Sequence, residues 1–94
     1  MLSRLMGFLY GDGWAYYNEQ GEYYEVGFQQ AIKNYSIYKY YKELITKLAT
    51  TTYVRERVRK GKMELTVYDY SMYSLLKSLK DNPVKYFRTL SDAE

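Results

Sequence analysis

The amino-acid sequence predicts an α+β domain whose elements follow one another in the order α-β-β-α-β-β-α. Three stretches space their apolar residues three or four apart, which is the pattern of one buried helix face. Four stretches between them are rich in aromatic residues or alternate apolar and polar residues, as half-buried strands do. Because short glycine-containing turns join the strands in two pairs, we expect a four-stranded antiparallel sheet with the helices on one face.

The first helix and the first pair of strands occupy the N-terminal third of the chain. Helix 1 is predicted over about residues 2–11, and the glycine at position 13 ends it. Strand 1 is predicted over 14–18 and strand 2 over 22–30, with a turn at 19–21 between them. The side chains expected to face the core from these elements are Leu2, Leu5, Phe8, Leu9, Tyr24, Val26 and Phe28.

The middle of the chain contains the second helix and the second pair of strands. Helix 2 is predicted to begin near Asn34 or Ser36, either of which can cap it, and to end at the threonines 50–52. Strand 3 over 51–60 and strand 4 over 62–68 flank a tight glycine turn. The core-facing residues expected here are Ile37, Tyr41, Leu44, Ile45, Leu48, Val54, Val58, Met63, Leu65 and Val67.

The last helix is predicted to begin after Asp69 or Ser71 and to end at 81–83, where Asp-Asn-Pro stops it. A tail over 81–94 completes a single domain of residues 1–94 and frays at its end. The residues expected to pack this helix and the tail on the core are Met72, Leu75, Leu76, Leu79, Val84, Phe87 and Leu90.

The composition restricts the sites and the compartment that we expect. The 94 residues, of which 47% are hydrophobic, suffice for one small core, which dimerisation would stabilise further. The absence of cysteine and histidine excludes disulfides, Cys/His zinc sites and thiol or Ser-His catalysis, so a metal must be held by oxygen atoms. The apolar N-terminal run is too short to span a bilayer and lacks the layout of a signal peptide. We expect a cytoplasmic or organellar protein that is not secreted.

The net positive charge is concentrated in one segment. Residues 53–62 carry five basic side chains and one acidic side chain, a net charge of +4, whereas the whole chain carries +3. Arg55, Arg57 and Arg59 alternate along the predicted strand 3 and therefore share one of its faces. A basic face beside aromatic residues indicates a polyanionic partner, and a solvated sheet face that bears arginine for solubility is the simpler alternative.

Helix 1 has a second face that carries small residues. Ser3, Gly7 and Gly11 lie four apart, so another backbone can approach this face closely. Asp12 follows at the C-terminal end of the helix. The partial negative charge of a helix C-terminus disfavours a carboxylate by roughly 0.3–1 kcal/mol, and a bound cation would reverse that sign.

The stretch LMGFLYGDG at residues 5–13 resembles the motif of the LAGLIDADG homing endonucleases. Gly7 and Gly11 match the small residues of the motif, and Asp12 matches its last acid. The predicted order of elements is that of one LAGLIDADG half-domain, in which a saddle-shaped sheet carries its helices on one face. The resemblance therefore extends over most of the chain.

The resemblance implies a homodimer formed by two copies of helix 1, with a metal site at the helix ends. In the family, two such helices pack side by side, and their closing acids hold divalent cations that activate water for phosphodiester hydrolysis. Asp12 and the adjoining Gly11 are then the expected ligands of Mg²⁺ or Mn²⁺. The residues expected at the dimer interface are Ser3, Met6, Gly7, Tyr10 and Gly11.

The resemblance also implies that the outward face of the sheet lies in the major groove of double-stranded DNA. There arginine reads guanine, asparagine and glutamine read adenine, and lysine contacts phosphate. Exposed tyrosines equally suit stacking on unpaired bases, so RNA or a single strand stays open as a partner. The residues expected to contact DNA are Trp14, Tyr16, Asn18, Tyr23, Glu25, Gln29, Tyr53, Arg55, Arg57, Arg59, Lys60, Lys62 and Thr66.

Members of the family often carry a Gln-Lys pair where strand 2 meets helix 2, and the matching residues here are Ile32 and Lys33. Lys33 is therefore an expected partner of the scissile phosphate. Either Gln29 or Gln30 is expected to replace the missing glutamine, and we take Lys33 and Gln29 as the catalytic residues beside the metal-binding aspartate. Lys85 is a candidate for a further basic group after helix 3.

Three functions are compatible with these observations. The leading hypothesis is a homodimeric, metal-dependent endonuclease that cleaves double-stranded DNA at a long pseudo-palindromic site, because two-fold symmetry implies symmetric half-sites. The second is a protein of the same fold that binds DNA or RNA without cleaving it, as a regulator or maturase, which the apolar Ile32 favours. The third is one half of a larger two-motif endonuclease or intein.

Overall fold

The computed structural model describes residues 2–49 and 53–84. It confirms the predicted order of the elements and adds a short 3₁₀ helix before the second α-helix. The described part of the protein is α+β, with three α-helices and a four-stranded antiparallel sheet. The elements are α1 (Leu2–Asp12), β1 (Gly13–Asn18), β2 (Tyr23–Ala31), the 3₁₀ helix (Ile32–Asn34), α2 (Tyr35–Leu48), β3 (Val54–Arg59), β4 (Lys62–Val67) and α3 (Tyr70–Asp81).

The sheet has the strand order β1-β2-β4-β3, so its two central strands come from different hairpins. Because side chains alternate along a strand, β2 and β4 each present one apolar face to the helices and the opposite face away from them. All three helices and both central strands contribute to one core, and none of the described elements covers the second face of the sheet, the open face. The fully or nearly buried apolar residues are Leu5, Met6, Leu9, Val26, Phe28, Tyr38, Leu44, Ile45, Leu65, Val67, Met72, Leu76 and Leu79.

Helix α1 lies between α2 and α3, and it contacts both of them as well as β1 and β2. On the α2 side, the ring of Phe8 stacks on Tyr41 with centroids 3.7 Å apart. The same ring meets Phe28 of β2 edge-on at 5.1 Å. Since α1 is held on three sides in this way, its remaining side is the one that faces solvent.

The hairpin between β3 and β4 turns at the glycine that the sequence indicated. Arg59 pairs with Lys62, so the loop between them has two residues. Lys60 has φ 52° and Gly61 has φ 75°, and two left-handed residues are what a type I′ turn requires. The turn places two lysines at the tip of the hairpin beside the last arginine of β3.

Helix α3 begins as the sequence predicted. The Asp69 side chain caps it by accepting a hydrogen bond from the Met72 backbone N–H at 3.1 Å, although Asp69 itself is only 3% exposed. The helix ends at Asp81, and Asn82 and Pro83 follow directly. These two boundaries fix the position of the last turn of α3, which reaches the end of α1.

Two predicted core positions are wrong. Ile37 is 45% exposed, and the buried stripe of α2 instead runs through Tyr38, Tyr41 and Ile45, which follow one another at spacings of three and four. Val58 is 63% exposed, because α2 packs over β2 and β4 and leaves the far end of the edge strand β3 uncovered. The alternation of valines along β3 therefore predicted which face of the strand is turned toward the helices, but not how far along the strand the core extends.

The beginning of the C-terminal tail also differs from the prediction. Val84 is 70% exposed, so this residue does not dock the tail on the core. The other expected docking residues, Phe87 and Leu90, lie outside the described residues, as do the threonines 50–52 at which helix 2 and strand 3 were predicted to meet.

The junction between α1 and β1 leaves no room for a side chain. A Cβ atom on Gly13 would lie 2.7 Å from Leu9 Cδ2 and 2.8 Å from the backbone oxygen of Gly27. A Cβ on Gly7, by contrast, would meet no atom within 4 Å. Gly13 is therefore required for the close approach of the helix end to the sheet, whereas Gly7 is free of packing within one copy of the chain.

We expect Gly13→Ala to lower the free energy of unfolding by about 1–3 kcal/mol, because overpacking forces the backbone apart. Gly7→Ala is the matched control. It should raise the free energy of unfolding by roughly 0.5–1 kcal/mol, because alanine has a higher helix propensity than glycine. Urea denaturation followed by circular dichroism, at a protein concentration where the chain is monomeric, measures both. Equal effects of the two substitutions would contradict the described junction.

Candidate functional site

The open face of the sheet brings most of the predicted DNA-contacting residues together in rows that cross the strands. Adjacent strands lie about 4.8 Å apart, so a row across all four strands spans roughly 14 Å. The first row runs Trp14, Gly27, Thr66 and Arg55, the second runs Gln29, Glu64 and Arg57, and the third pairs Lys62 with Arg59. Each arginine of β3 therefore begins a row, at the edge of the sheet.

Trp14 lies across the open face because its neighbour is a glycine. A Cβ on Gly27 would come within 2.4 Å of the indole Cζ2 atom, so only glycine admits the ring at this depth. The indole N–H donates a hydrogen bond to Glu25 Oε2 at 3.2 Å. Thr66, beside Gly27 in the same row, is only 7% exposed. The centre of the open face is therefore closely packed around the indole ring.

Glu64 holds two of the three arginines. Arg57 donates to Glu64 Oε1 at 3.2 Å, and the Arg59 guanidinium lies 3.9 Å from Oε2 of the same carboxylate. Near the hairpin tip, Gln29, Arg59, Lys60, Lys62 and Glu64 line a polar cavity of about 370 Å³. One carboxylate thus holds two arginines beside the two lysines of the hairpin tip, and the four cationic side chains together keep a net positive charge.

The opposite end of the open face is aromatic. Tyr23, Tyr53 and Tyr68 line a cavity of about 460 Å³. A hydrogen bond with the Tyr68 hydroxyl raises the pKa of the Arg55 guanidinium above its usual value. Asn18 donates to the Tyr23 hydroxyl at 3.0 Å and accepts from the Gly21 backbone N–H at 2.8 Å. Asn18 therefore shapes the β1–β2 turn with both groups of its amide.

Asp12 is exposed at the end of α1 and is held by a glutamine from β2. Gln30 Nε2 donates to Asp12 Oδ2 at 3.3 Å, and Gln30 Oε1 accepts from Asn34 Nδ2 at 3.5 Å. Gln29 is on the other face of β2, in the cavity beside the arginines. Of the two glutamines that the sequence left open, Gln30 is the one that contacts the aspartate.

A lysine that the sequence reasoning did not identify approaches the same helix end. Lys80, in the last turn of α3, donates from Nζ to the backbone oxygen of Gly13 at 3.2 Å. A cation at this place offsets the negative end of the α1 dipole. The signal for it was present, since a basic residue stands in the last turn of α3. The candidate chosen instead, Lys85, lies outside the described residues.

The predicted Gln-Lys position is in the 3₁₀ helix. Ile32 is 48% exposed and its backbone N–H donates to the Gly61 oxygen at 3.0 Å, which ties the end of β2 to the hairpin tip. Lys33 is exposed, and in the described part of the chain no ion pair joins it to Asp12. The structure therefore places Lys33 at the surface and Gln30 beside the carboxylate.

The solvent-facing side of α1 consists largely of the predicted interface residues. Gly7 and Gly11 are exposed, with open space where a Cβ would lie, and Tyr10 is 44% exposed. Ser3 is partly exposed. The expectation for Met6 is wrong, because Met6 is fully buried and faces the core of its own chain together with Leu5 and Leu9.

Within the described ranges, no three acidic residues lie close enough together to hold a metal ion. A cation at Asp12 would therefore need ligands beyond the acidic residues that the described part of one copy brings together. No helix in residues 2–49 and 53–84 combines the length and the apolar character needed to cross a bilayer.

In comparisons with known proteins, no family model, no curated protein and no solved structure matches this chain. The function of the candidate site must therefore be argued from its geometry.

We expect Lys80→Gln to lower the free energy of unfolding by about 0.3–1 kcal/mol at low ionic strength, because it removes the cation at the end of α1. The loss should shrink as salt is added, since surface charges are screened. Lys39→Gln, at an exposed position in the middle of α2, is the control. A loss that is insensitive to salt, or equal in the two variants, would mean that Lys80 does not act through its charge.

Proposed function

We propose that the protein binds double-stranded DNA on the open face of its sheet and cleaves it as a homodimer, with divalent metal bound at paired Asp12 residues. This is the activity of the LAGLIDADG homing endonucleases, and the fold would be one LAGLIDADG half-domain. The observation that carries the proposal is that one chain combines a helix-free sheet face, edged by three arginines in register, with a bare helix face that ends at an exposed aspartate.

The dimensions and charges of the open face support a duplex partner. The major groove of B-DNA is about 12 Å wide and accepts a two-stranded β-ribbon, which the β3–β4 hairpin would supply. Arg57 and Arg59 would exchange Glu64 for guanine edges, and Gln29 would read adenine. Lys60 and Lys62 at the hairpin tip would contact phosphates.

The glycines of α1 support pairing of two copies. Gly7 and Gly11 leave the helix backbone accessible, so a second α1 can approach about as closely as backbone atoms allow. A two-fold axis through this contact would bring the C-terminal ends of both helices, and both Asp12 carboxylates, to one place. The chain would then recognise a pseudo-palindromic site through two identical sheets.

The chemistry of the helix ends supports a metal at this place. Two carboxylates and two negative helix ends repel each other, and a divalent cation removes that repulsion. Mg²⁺ or Mn²⁺ would be held by Asp12 from each copy, with Gly11 backbone oxygens, water and DNA phosphate as further ligands. Bound there, the metal would supply an activated water and neutralise charge on the scissile phosphate.

The neighbours of Asp12 have supporting roles in this proposal. Gln30 fixes the orientation of the carboxylate through its 3.3 Å hydrogen bond. It takes the place of the glutamine that the family often has at the position of Ile32. Lys33 is exposed at the end of β2, where it is free to contact a DNA phosphate. We therefore assign Gln30 rather than Gln29 to the metal end of the site.

A second candidate is a nucleic-acid-binding protein of the same fold that does not cleave. The exposed apolar side chain of Ile32, at a position where the family often has a polar residue near the metal, favours it. In that case the open face would bind DNA or RNA while the aspartate has no catalytic role. In a third candidate, the chain is one half of a larger two-motif protein. Another segment would then supply the second motif, and two unlike halves would pair about a pseudo-two-fold axis in place of the homodimer.

We expect Asp12→Asn to abolish Mg²⁺-dependent nicking of supercoiled DNA while leaving DNA affinity within about threefold, because the change removes a metal ligand and not a groove contact. Supercoiled plasmid that contains the cleavage site, found first by selection from a random library, is the substrate. Nicking that survives in Asp12→Asn would overturn the catalytic assignment. Salt-dependent binding by both proteins without nicking by either would favour the second candidate.

We expect Arg57→Ala to weaken duplex binding by about 5- to 150-fold and to relax base preference at one position of each half-site. Lys60→Ala should weaken binding to all sequences and lower the slope of log affinity against log salt by about 1. Arg4→Ala is the control, because Arg4 is on the helical side, bound to the Tyr40 hydroxyl at 2.8 Å. Equal losses for Arg57 and Arg4 in fluorescence anisotropy would exclude the open face as the binding surface.

A further inference from the structure

The aromatic cavity at one end of the open face has the construction of a ligand site. The ring of Tyr68 forms its floor, with the rings of Tyr23 and Tyr53 each 5.1 Å away, centroid to centroid. Tyr23 meets Tyr68 edge-on at 84°, and Tyr53 is tilted against it by 59°. Three rings that are inclined to one another in this way leave a concave space of about 460 Å³, which is within the size range of small-molecule sites.

The wall of this cavity is also fixed from outside. Asn18 holds the Tyr23 hydroxyl at 3.0 Å, and the Tyr68 backbone N–H donates to the Tyr53 oxygen at 3.4 Å. Tyr53 nevertheless remains 68% exposed, so one wall of the cavity is open to an incoming ring. The arrangement is preorganised on two sides and accessible on the third.

The charges around the cavity favour one class of occupant. Arg55 pairs across the strands with Thr66, two residues before Tyr68, and its interaction with the Tyr68 hydroxyl places a cation beside the cavity. A quaternary or protonated amine, the usual guest of an aromatic cage, would be repelled there. Glu25, which directly precedes the Val26–Val67 pair, accepts a hydrogen bond from the Trp14 indole N–H. A neutral planar ring with an attached anion would stack on the faces of the tyrosine rings and place its anion beside the Arg55 cation.

The cavity lies at the end of the basic line of β3. Tyr53, Arg55, Arg57 and Arg59 share the open face, about 7 Å apart from one to the next along the strand. A phosphate chain that follows the arginines from the hairpin tip would arrive at the cavity after about 20 Å. The bases on such a chain are flat, and every base stacks on tyrosine.

We propose that the cavity formed by Tyr23, Tyr53 and Tyr68 binds an unpaired nucleobase of a single-stranded segment, with Arg55 at the adjoining phosphate. The inference rests on the proposed nucleic-acid-binding function for the path of the phosphate chain, and it adds a site that a blunt duplex does not fill. The protein would thus bind most tightly where a duplex passes into a single strand.

Fluorescence anisotropy with three labelled oligonucleotides tests this site. The three are a blunt duplex, the same duplex with a short thymidine overhang, and the overhang strand alone. We expect the overhang to raise the affinity of the duplex by about 5- to 150-fold, as stacking of one base predicts. Tyr53→Ala should bring the ratio of the overhang affinity to the blunt-duplex affinity down to about 1, whatever it does to the blunt-duplex affinity itself, and Tyr53→Phe should keep the gain.

Two further variants distinguish stacking in this cavity from a general effect of removing a tyrosine. Tyr68→Ala should also remove the gain, and Tyr35→Ala, at a tyrosine of α2 that is 52% exposed, should not. An overhang that adds no affinity, or a gain that survives Tyr53→Ala and Tyr68→Ala in folded variants, would overturn the site. If the blunt duplex does not bind but the single strand does, in a Tyr53-dependent manner, the duplex-binding proposal fails and the base-binding site stands.

Discussion

The burial of one face of the sheet under three helices is the constraint on which the rest of the structure depends. Val26 and Phe28 of β2, with Leu65 and Val67 of β4, are all fully buried on that face. The strand period of two then assigns every other residue of these strands to the face without helices. The arginines, tyrosines and Trp14 are consequently displayed together because the core fixes the register and not because they attract one another.

The same constraint determines where α1 can end. The helix is packed between α2 and α3, and Gly13 allows it to turn into β1 at a distance that no other residue would tolerate. This puts Asp12 at the negative end of a helix, which is an unfavourable place for a carboxylate. Gln30 and Lys80 offset part of that cost, one by a hydrogen bond to the carboxylate and the other by a cation at the next carbonyl. The carboxylate is thus kept exposed at the helix end with part of its electrostatic cost offset by its neighbours.

The sequence was sufficient for the features in which a single period or a single residue dominates. The order of elements and the hairpin at Gly61 were predicted and are confirmed, and of the two positions left open for the start of α3, Asp69 is the one that caps it. The wrong predictions concern how far the buried face of each helix or strand extends. Met6 and Ile37 sit at the margins of apolar stripes, and one step of 100° around a helix decides between core and solvent.

Tertiary contacts of the site were beyond the reach of sequence patterns for a different reason. Lys80 reaches Gly13 across 67 residues of sequence. The period of two put Gln30 on the same face of β2 as Val26 and Phe28, but it did not show that Gln30 lies within hydrogen-bond distance of Asp12. Val58 is exposed although α2 reaches the same face of β3 through the ion pair between Lys42 and Glu56, and no pattern within β3 reveals that this cover ends before Val58. The identities of these residues were visible, but the distances between distant segments were not.

The central claim is that two copies of the chain pair through the bare face of α1, so that the two Asp12 carboxylates meet. Because the chain has no cysteine, Gly7→Cys introduces a single thiol at the middle of that face. If the helices pack across a two-fold axis there, the two Cα atoms lie within about 4.4–6.8 Å and mild oxidation gives a disulfide-linked dimer. Lys39→Cys, on the exposed side of α2, is the control. Rapid dimer formation by Gly7→Cys alone is the predicted result, and equal or absent cross-linking in the two variants would contradict the account.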